Sequence, residues 1–236
     1  MRLNKYLSSH GVCSRREADR LIDEGRVAVN GETAAIGLQV SEEDSVTVDG
    51  KPVRQTVEEI FLAVNKPRGV VVTTDRTWGD PVLEDIVSCR ERVFAVGRLD
   101  KESEGLILMT NNGELAERIM HPRYEIQKTY NVTLKGHLTP ETLHRMTTRG
   151  VCLDDGWQKF DKATLLTSTR EYSTVRVTLH SGKNRIVRRM FAALGFTVIK
   201  LVRMKIGPIS LGTIKSGSYR MLTNDEITTL KKEVAL

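Results

Sequence analysis

From residue 61 onward, short apolar runs rich in β-branched residues alternate with polar turns and short stretches of helical spacing. The apolar runs are FLAVN from residue 61, GVVVTT from 69, VFAV at 93–96, LILMT at 106–110 and TYNVTL at 129–134. Helical spacing covers residues 114–120, 140–146 and 184–194. Strands that alternate irregularly with helices over about 175 residues are typical of an α+β domain. We expect a mixed, mostly antiparallel β-sheet flanked by helices.

The first sixty residues carry the signals of a separate small module. Ser14 followed by Glu17 forms a capping box that predicts a helix start, and Gly25 stands where that helix should end. Asn30-Gly31 and Asp49-Gly50 are hairpin dipeptides between short β runs. The polar stretch 55–59 then resembles a linker. We therefore predict an N-terminal domain at 1–58 and a second domain at 60–236.

Composition excludes several classes of protein. The chain lacks the uninterrupted run of about 18 apolar residues that a membrane-spanning helix needs, and its N-terminus lacks the apolar core of a signal peptide. We expect a cytoplasmic protein that does not bind a membrane. Three scattered cysteines predict neither a disulfide framework nor a zinc site. No dinucleotide-binding, P-loop or metal-binding motif is present, so no cofactor and no metal are expected.

Charge is distributed unevenly along the 236 residues, whose 36 Lys and Arg against 30 Asp and Glu give a net charge of +6. Residues 1–60 carry 8 basic and 11 acidic side chains, so the excess of positive charge lies beyond them. The stretch 181–220 contains nine Lys or Arg and no Asp or Glu. Such segregation indicates a surface that binds nucleic acid phosphates, although a basic excess is often only a solvated face.

The N-terminal module resembles the alpha-L RNA-binding motif of small-subunit ribosomal protein four and of several RNA-modifying enzymes. The resemblance rests on R-L-N-K-Y-L, C-S-R-R-E-A and G-R-V-x-V-N-G within residues 2 to 50. It implies RNA contacts by side chains of the two helices and the following turn: Arg2, Lys5, Arg15, Arg16, Arg20 and Asn30. The alternative is a solvated face, because Glu17, Asp19, Asp23 and Glu24 are interspersed among these cations.

The most distinctive local sequence is G-R-L-D-K-E-S-E-G-L at 97–106, a polar loop between two apolar runs. By itself, Asp100 in such a loop is most often a turn residue. The longer pattern G-R-L-D-x-x-S-E-G-L-x-x-x-T-N-x-G, however, is similar to the signature of the RsuA-like RNA pseudouridine synthases. N-K-P-x-G at 65–69, H-P-R-Y-x-x-x-K-T-Y at 121–130 and G-K-N-R-I-V-R-R-M at 182–190 agree with it in order.

The resemblance implies that Asp100 is the aspartate on which catalysis depends, in a cofactor-free reaction that detaches uracil at N1 and rejoins it through C5. A carboxylate can add to carbon or accept a proton, and the sequence leaves the choice open. Arg188 corresponds to the family arginine that pairs with this aspartate, and its alternative is a phosphate contact. Tyr130 corresponds to the tyrosine that packs on the base, and its alternative is a core tyrosine.

The remaining expected site residues are cations near these motifs. The resemblance associates Arg98 with opening of the RNA, although a phosphate contact is equally compatible. RNA contacts are also expected from four further side chains: Lys66, Lys183, Arg185 and Arg189. At Ile186 the family usually has Gln or Glu, so any hydrogen bond made by that side chain is missing here.

Together these features predict an rRNA pseudouridine synthase that acts as a monomer on structured ribosomal RNA with a flipped uridine. The stretches T-W-G-D-P at 77–81 and L-D-D-G at 153–156 favour large-subunit rRNA. Free RNA, a ribosomal assembly intermediate and a finished subunit all remain open as the form of the substrate. Two alternatives stand beside this interpretation, namely a small-subunit rRNA target and a non-catalytic RNA-binding ribosome-assembly factor.

Overall fold

The computed structural model describes residues 1–53, 58–74, 76–77 and 79–236. Residues 55–57 of the predicted linker, and Trp78 of the T-W-G-D-P stretch, lie outside the described residues. The chain divides into two compact units. The first comprises Met1–Ile60, Cys89–Val93 and Asn111–Gly113, and the second comprises Phe61–Ser88, Phe94–Thr110 and Glu114–Leu236.

The N-terminal unit contains two helices and a small antiparallel sheet. The elements are α1 (Leu3–Ser9), α2 (Arg15–Asp23), β1 (Val27–Val29), β2 (Glu32–Thr33), β3 (Val46–Val48) and β4 (Lys51–Pro52). The strands follow the order β2-β1-β3-β4. Leu3, Tyr6 and Leu7 of α1 pack with Leu21 and Ile22 of α2 in the core of this unit. One apolar stripe on each helix is enough to bury both helices against the sheet.

Local signals set the turns of this unit as predicted. The Ser14 hydroxyl accepts a hydrogen bond from the Glu17 amide at 3.2 Å, whereas the Glu17 carboxylate pairs with Arg20 at 2.5 Å. Asn30 and Gly31 have φ of 51° and 87°, and Asp49 and Gly50 have φ of 51° and 73°. Two successive residues with positive φ are the requirement of a type I′ hairpin turn. Both predicted hairpins are thus confirmed.

The second unit is built on a nine-stranded sheet that is mixed and mostly antiparallel, as predicted. Its seven main strands follow the order β11-β12-β8-β13-β7-β5-β15, with β6 paired to β7 and β14 paired to β13. The bounds are β5 (Phe61–Lys66), β6 (Phe94–Val96), β7 (Glu104–Thr110), β8 (Lys128–Lys135), β9 (Val151–Leu153), β10 (Gly156–Gln158), β11 (Lys162–Ser168), β12 (Tyr172–Leu179), β13 (Thr197–Ile206), β14 (Ile209–Ser210) and β15 (Tyr219–Met221). Strands β9 and β10 form a separate hairpin.

Helices flank this sheet and divide its core into two clusters. They are α3 (Gly113–Met120), α4 (Pro140–Thr148), α5 (Ile186–Ala192) and α6 (Asn224–Glu233). Side chains of α3 and α6 pack with those of β5 and β7, while side chains of α4 and α5 pack with those of β8 and β12. Among the helices of the described chain, none is both long and apolar enough to span a bilayer.

In this unit two local predictions need correction, and one helix lies outside the predicted elements. The strand predicted at 69–74 is reduced to an isolated bridge between Val71 and Val82, because the chain turns around the side chain of Lys66. Helix α5 begins at Ile186 instead of residue 184, since Arg185 has a left-handed backbone with φ of 48°. Helix α6 was not predicted, although Thr223 and Glu226 form a capping box at its start.

Candidate active site

The described residues that line a cavity of about 400 Å³ all belong to the second unit. Its walls come from the loop between β6 and β7, from β8 and β13, and from the loop that precedes α5. Among the described residues that line it, five are cationic and one is a carboxylate: Arg98, Lys128, Lys183, Arg185, Arg203 and Asp100. A cavity of this size is in the range that holds a small organic group, and its charge favours an anionic ligand.

Asp100 lies in the short loop between β6 and β7, and the loop is fixed by backbone hydrogen bonds. The Ser103 amide donates to Asp100 O at 3.0 Å. Arg203 Nε donates to Leu106 O at 2.6 Å just after the loop, and Arg203 Nη1 approaches Arg98 O at 3.5 Å just before it. The Asp100 side chain is 30% exposed. The carboxylate is therefore accessible from the cavity while its backbone is anchored on both sides.

The guanidinium nearest to Asp100 is that of Arg185, which corrects the prediction that Arg188 is its ion-pair partner. Arg185 Nη1 lies 3.6 Å from Asp100 Oδ2. Arg188 instead donates to two backbone oxygens, Val198 O and Glu102 O, each at 3.1 Å. The forked guanidinium reaches one carbonyl on β13 and one in the Asp100 loop, so it ties these segments together. Burial, and next Arg185, lower the pKa of Arg188, whereas the charge of Asp100 raises it.

This geometry makes Arg188→Lys a discriminating substitution. A lysine ammonium cannot reach both carbonyls, so we expect kcat to fall about 10- to 100-fold while RNA affinity stays within about twofold. Single-turnover pseudouridine formation and filter binding measure the two effects. Arg176→Lys is the matched control, because Arg176 Nε bonds Asn131 Oδ1 at 2.9 Å and does not line the cavity. Parallel losses of rate and affinity would identify Arg188 as a phosphate contact.

Lys66 was predicted to contact RNA, and its burial corrects that prediction. The side chain is 0% exposed. Its ammonium donates to Val70 O at 2.7 Å and to Pro67 O at 3.0 Å, with Lys101 O at 3.5 Å. Burial lowers the pKa of Lys66 to about 8. The lysine of the N-K-P-x-G motif therefore holds the loop at 67–70 and approaches the residue after Asp100.

We accordingly expect Lys66→Met to leave RNA affinity and its salt dependence unchanged. A lysine that contacts phosphate contributes about one unit to the slope of log affinity against log salt, and a buried one contributes none. Binding measured over a range of salt concentrations tests this directly. Lys183→Met, which removes an exposed cation of the cavity rim, should lower the slope. Equal changes in slope for both variants would contradict the burial argument.

Tyr130 lies on β8 and lines the same cavity as Asp100. Its Cα partners are Val177 on β12 and Arg203 on β13, so it occupies the middle of the sheet. The side chain is half-buried. A ring at the wall of a cavity is compatible with stacking on a base, and its role stays a prediction.

The other predicted cations near the cavity differ in their surroundings. Arg98 is exposed and lines the cavity. Two of the cations bind Asp155. Lys183 Nζ donates to its backbone carbonyl oxygen at 3.0 Å, and Arg189 Nη2 donates to its carboxylate at 2.6 Å. Ile186, where the family usually has a polar residue, is the first residue of α5; it packs in the apolar core and also lines the cavity. The hairpin of β9 and β10 thus holds the basic loop before α5.

The residues predicted for RNA binding in the N-terminal unit differ in the partners of their side chains. Four of them are exposed cations on or next to α1 and α2: Arg2, Lys5, Arg15 and Arg16. Arg20 is also exposed but pairs with Glu17 at 2.5 Å. The Asn30 side chain donates to Asp44 at 2.8 Å and accepts from the Ser45 amide at 2.9 Å. Asn30 therefore links its turn to the segment just before β3, and an RNA contact would have to displace these bonds.

Two residues of the cavity, Lys128 and Arg203, were not predicted as site residues. Lys128 belongs to the K-T-Y segment quoted for the resemblance, two residues before Tyr130, and alternation along a strand places both on one face. Arg203 carries no comparable signal, because its position depends on the pairing of β13 with β8 and β7. In the part of the chain that the structure describes, no three His, Cys, Asp or Glu side chains group closely enough to hold a metal ion.

Comparisons with known proteins identify the family of the chain. The family model described as RNA pseudouridylate synthase matches residues 60–193, and the S4 domain model matches residues 1–46. The chain is 39% identical to the ribosomal large subunit pseudouridine synthase B of Bacillus subtilis, over 98% of this chain and 95% of that protein. It is 41% identical to the dual-specificity RNA pseudouridine synthase RluF of Escherichia coli, over 98% of this chain and 79% of that protein.

The fold of the chain is also similar to that of a solved structure. A crystal structure of a pseudouridylate synthase superposes with a TM-score of 0.68 at 30% identity, covering 98% of this chain and 99% of that one. Sequence and structural similarity therefore extend over both units of the chain. The resemblance stated from the motifs is confirmed, and the chain belongs to the RsuA-like family of RNA pseudouridine synthases, with an S4 domain at its N-terminus.

Proposed function

We propose that this protein converts a specific uridine of large-subunit ribosomal RNA to pseudouridine, without a cofactor. The observation that carries the proposal is a cavity whose described lining contains one carboxylate, Asp100, together with Tyr130 and five cations. Similarity to the large subunit pseudouridine synthase B of Bacillus subtilis supports a large-subunit substrate. We further propose that residues 1–58 dock on the RNA and residues 60–236 catalyse the reaction, with the protein acting as a cytoplasmic monomer.

The proposed reaction is an isomerisation whose atoms balance within the nucleotide. The bond from ribose C1′ to N1 breaks, the base turns, and a bond from C1′ to C5 forms. N1 gains one proton and C5 loses one, so no oxidant, reductant or acceptor group is required. The carboxylate of Asp100 can serve as the nucleophile or as the proton acceptor.

The site can act only on a nucleotide that has left the helix stack. Extruding a base costs a few kcal/mol of stacking, which contact with an aromatic ring partly restores. We assign that contact to Tyr130. The exposed cations at the rim, Arg98, Lys183 and Arg185, then bind the flanking phosphates. In the N-terminal domain, the exposed cations of α1 and α2 bind structured RNA through its backbone.

Release of tritium from RNA labelled at uracil C5 tests the proposed function. Large-subunit and small-subunit rRNA transcripts are incubated separately with the wild-type protein, with Asp100→Asn as the blank. We expect release above the blank on large-subunit RNA. Release only on small-subunit RNA would move the substrate to that subunit, and no release on any rRNA fragment would refute the enzymatic proposal. Mapping pseudouridine in RNA from a deletion strain then identifies the modified position.

A further inference from the structure

Two cations lie on the same face of the sheet as Tyr130 and complete the inner wall of the cavity. Lys128 precedes Tyr130 by two residues on β8, so the two side chains share a face. Arg203 on β13 is the direct cross-strand partner of Tyr130. Directly opposed residues of neighbouring strands also share a face. All three side chains line the cavity that contains Asp100.

Among the residues that the structure describes, neither cation has a counter-ion of its own. Within the described residues, no carboxylate oxygen lies within the 4.0 Å of an ion pair from either of them. Lys128 Nζ has a long contact of 3.4 Å with His180 O. Arg203 is 5% exposed, and its Nη2 atom is buried without a hydrogen-bond partner among the described residues. The nearby carboxylate of Asp100 faces Arg185 instead.

Two cations in a cavity without a carboxylate partner carry a cost in free energy unless a ligand supplies acceptor atoms. Burial disfavours a charged ammonium, and a second cation nearby disfavours it further. Both effects act on Lys128, whose pKa is lowered to about 8 by burial first and by Arg203 second. An acceptor oxygen that enters the cavity offsets this cost. Because an ammonium and a guanidinium have no acceptor atoms, the pair discriminates in favour of acceptor groups.

We propose that Lys128, with Arg203 behind it, binds a carbonyl oxygen of the target uracil and stabilises the negative charge that the base acquires on detachment. This inference rests on the proposed function. The contact is with the oxygen at C4, because cytosine shares the C2 carbonyl of uracil but presents at C4 an amino group that a donor-only wall cannot satisfy. The same contact therefore selects uridine against cytidine.

The charge on the detached base follows from the proposed reaction. When the bond from C1′ to N1 breaks, its electron pair stays on the base and is delocalised onto the carbonyl oxygens. Attack of C5 on C1′ and loss of the C5 proton then restore a neutral ring once N1 is protonated. A donor that is already in position where charge develops lowers the barrier more than it tightens ground-state binding. Lys128 is thus a hydrogen-bond donor here and forms no covalent bond.

A phosphate is the other oxygen ligand that these cations could bind, and position argues against it. Lys128 lies half-buried and Arg203 fully buried, whereas Arg98, Lys183 and Arg185 are exposed. The apolar side chains that share the inner wall, Leu201 and Ile206, suit a base more than a phosphodiester. The experiment below separates these ligands by the kinetic parameter that changes.

Lys128→Met and Lys135→Met form a matched pair for the test, because both lysines lie on β8 and Lys135 is exposed away from the cavity. We expect Lys128→Met to lower kcat about 100-fold with KM within about threefold, as loss of one oxyanion donor does elsewhere. Lys135→Met should change kcat less than about twofold. Equal kcat values for the two variants, or a change confined to KM and its salt dependence, would overturn the proposal.

The pH profile adds a readout that a structural role would not change. In the free enzyme, kcat/KM should fall as the pH rises through about 8, since Lys128 loses its charge there. Lys128→Arg should remove this alkaline decrease, because a guanidinium stays protonated. The other groups that face Lys128 are present in both proteins: Arg98, Asp100, Tyr130, His180, Lys183, Arg185 and Arg203. An unchanged alkaline decrease in Lys128→Arg would contradict the assignment.

A measurement without catalysis separates this proposal from the proposed function. Wild-type protein is labelled with a trace of acetic anhydride, and modification of Lys128 is quantified by mass spectrometry. We expect uridine 5′-monophosphate to slow modification at Lys128 and cytidine 5′-monophosphate to slow it much less. Equal protection by the two nucleotides would show that the phosphate is bound, and no protection by either would show that the base does not contact Lys128. Either result overturns the proposal even if the enzyme is active.

Discussion

Asp100→Asn is expected to lower the rate of pseudouridine formation by at least about 10⁴-fold, as loss of a catalytic nucleophile does in other enzymes. Asn keeps the shape of the side chain but removes the negative charge and nearly all nucleophilicity and basicity. Among the described residues that line the cavity, Asp100 is the single carboxylate, so no neighbour can replace it. Single-turnover assays with excess enzyme measure the chemical step without interference from product release.

The affinity of the Asp100→Asn variant for RNA should not fall with the rate. Removing a negative charge from a cavity lined by five cations weakens no attraction to phosphate, so binding should stay equal or become tighter. Glu102→Gln is the matched control, since Glu102 lies in the same loop, is exposed and pairs with Arg68 outside the cavity. We expect it to keep its rate within about threefold. More than about a tenth of wild-type activity in Asp100→Asn would contradict the catalytic assignment.

Gly105→Ala is expected to lower the free energy of unfolding by more than about 4 kcal/mol, the range of the most severe single substitutions. Gly105 has φ of +102°, and a Cβ built there would lie 2.4 Å from Arg203 O and 2.7 Å from Arg203 N. These are backbone atoms of the paired strand, since β7 and β13 run parallel with Arg203 opposite Gly105. The clash therefore cannot be relieved by a side-chain rotation.

Urea denaturation followed by circular dichroism measures the effect, and insoluble expression would be its extreme form. Gly113→Ala is the control, because nothing lies within 4 Å of a Cβ added at Gly113 and its φ is not positive. Alanine at the start of α3 should cost less than about 0.5 kcal/mol. If Gly105→Ala lowered the free energy of unfolding by less than about 1 kcal/mol, β7 and β13 would be able to separate at little cost in free energy. The glycine of the S-E-G-L motif thus permits the strand contact beside Asp100.

Much of the local structure could be predicted because its causes lie within a few residues. Ser14 caps α2, and the Asn30-Gly31 and Asp49-Gly50 turns have the expected positive φ. Helix α4 begins at Pro140, as predicted; Thr139 is its cap, and the helix extends to Thr148. The failures have equally local causes. Helix α6 begins with a reciprocal capping box of Thr223 and Glu226, and residues 69–74 are drawn into a turn by Lys66.

Those residues of the candidate site that lie within one continuous sequence motif could be predicted from the sequence. The motif between β6 and β7 and the K-T-Y segment on β8 do place Asp100 and Tyr130 at one cavity, and their roles stay predictions. The basic residues were harder to assign. Arg185 and Arg188 lie in the same basic motif and yet have different partners. Arg188 binds backbone carbonyl groups, whereas Arg185 lies next to the carboxylate of Asp100.

By itself, the sequence determined the family, the N-terminal S4 module, the caps and turns, and the aspartate around which the proposal is built. These features depend on residue order, on backbone preferences of Gly and Asn, and on short capping patterns. Only the tertiary structure decided which cations lie at the cavity, because a long charged side chain can reach solvent, a carbonyl or a carboxylate from the same position. Lys66 is buried by the chain turn after β5, and Arg203 reaches the cavity through strand pairing across nearly a hundred residues. The net charge of +6 was only compatible with a nucleic-acid partner, and the fold determined which of the cations line the cavity beside Asp100.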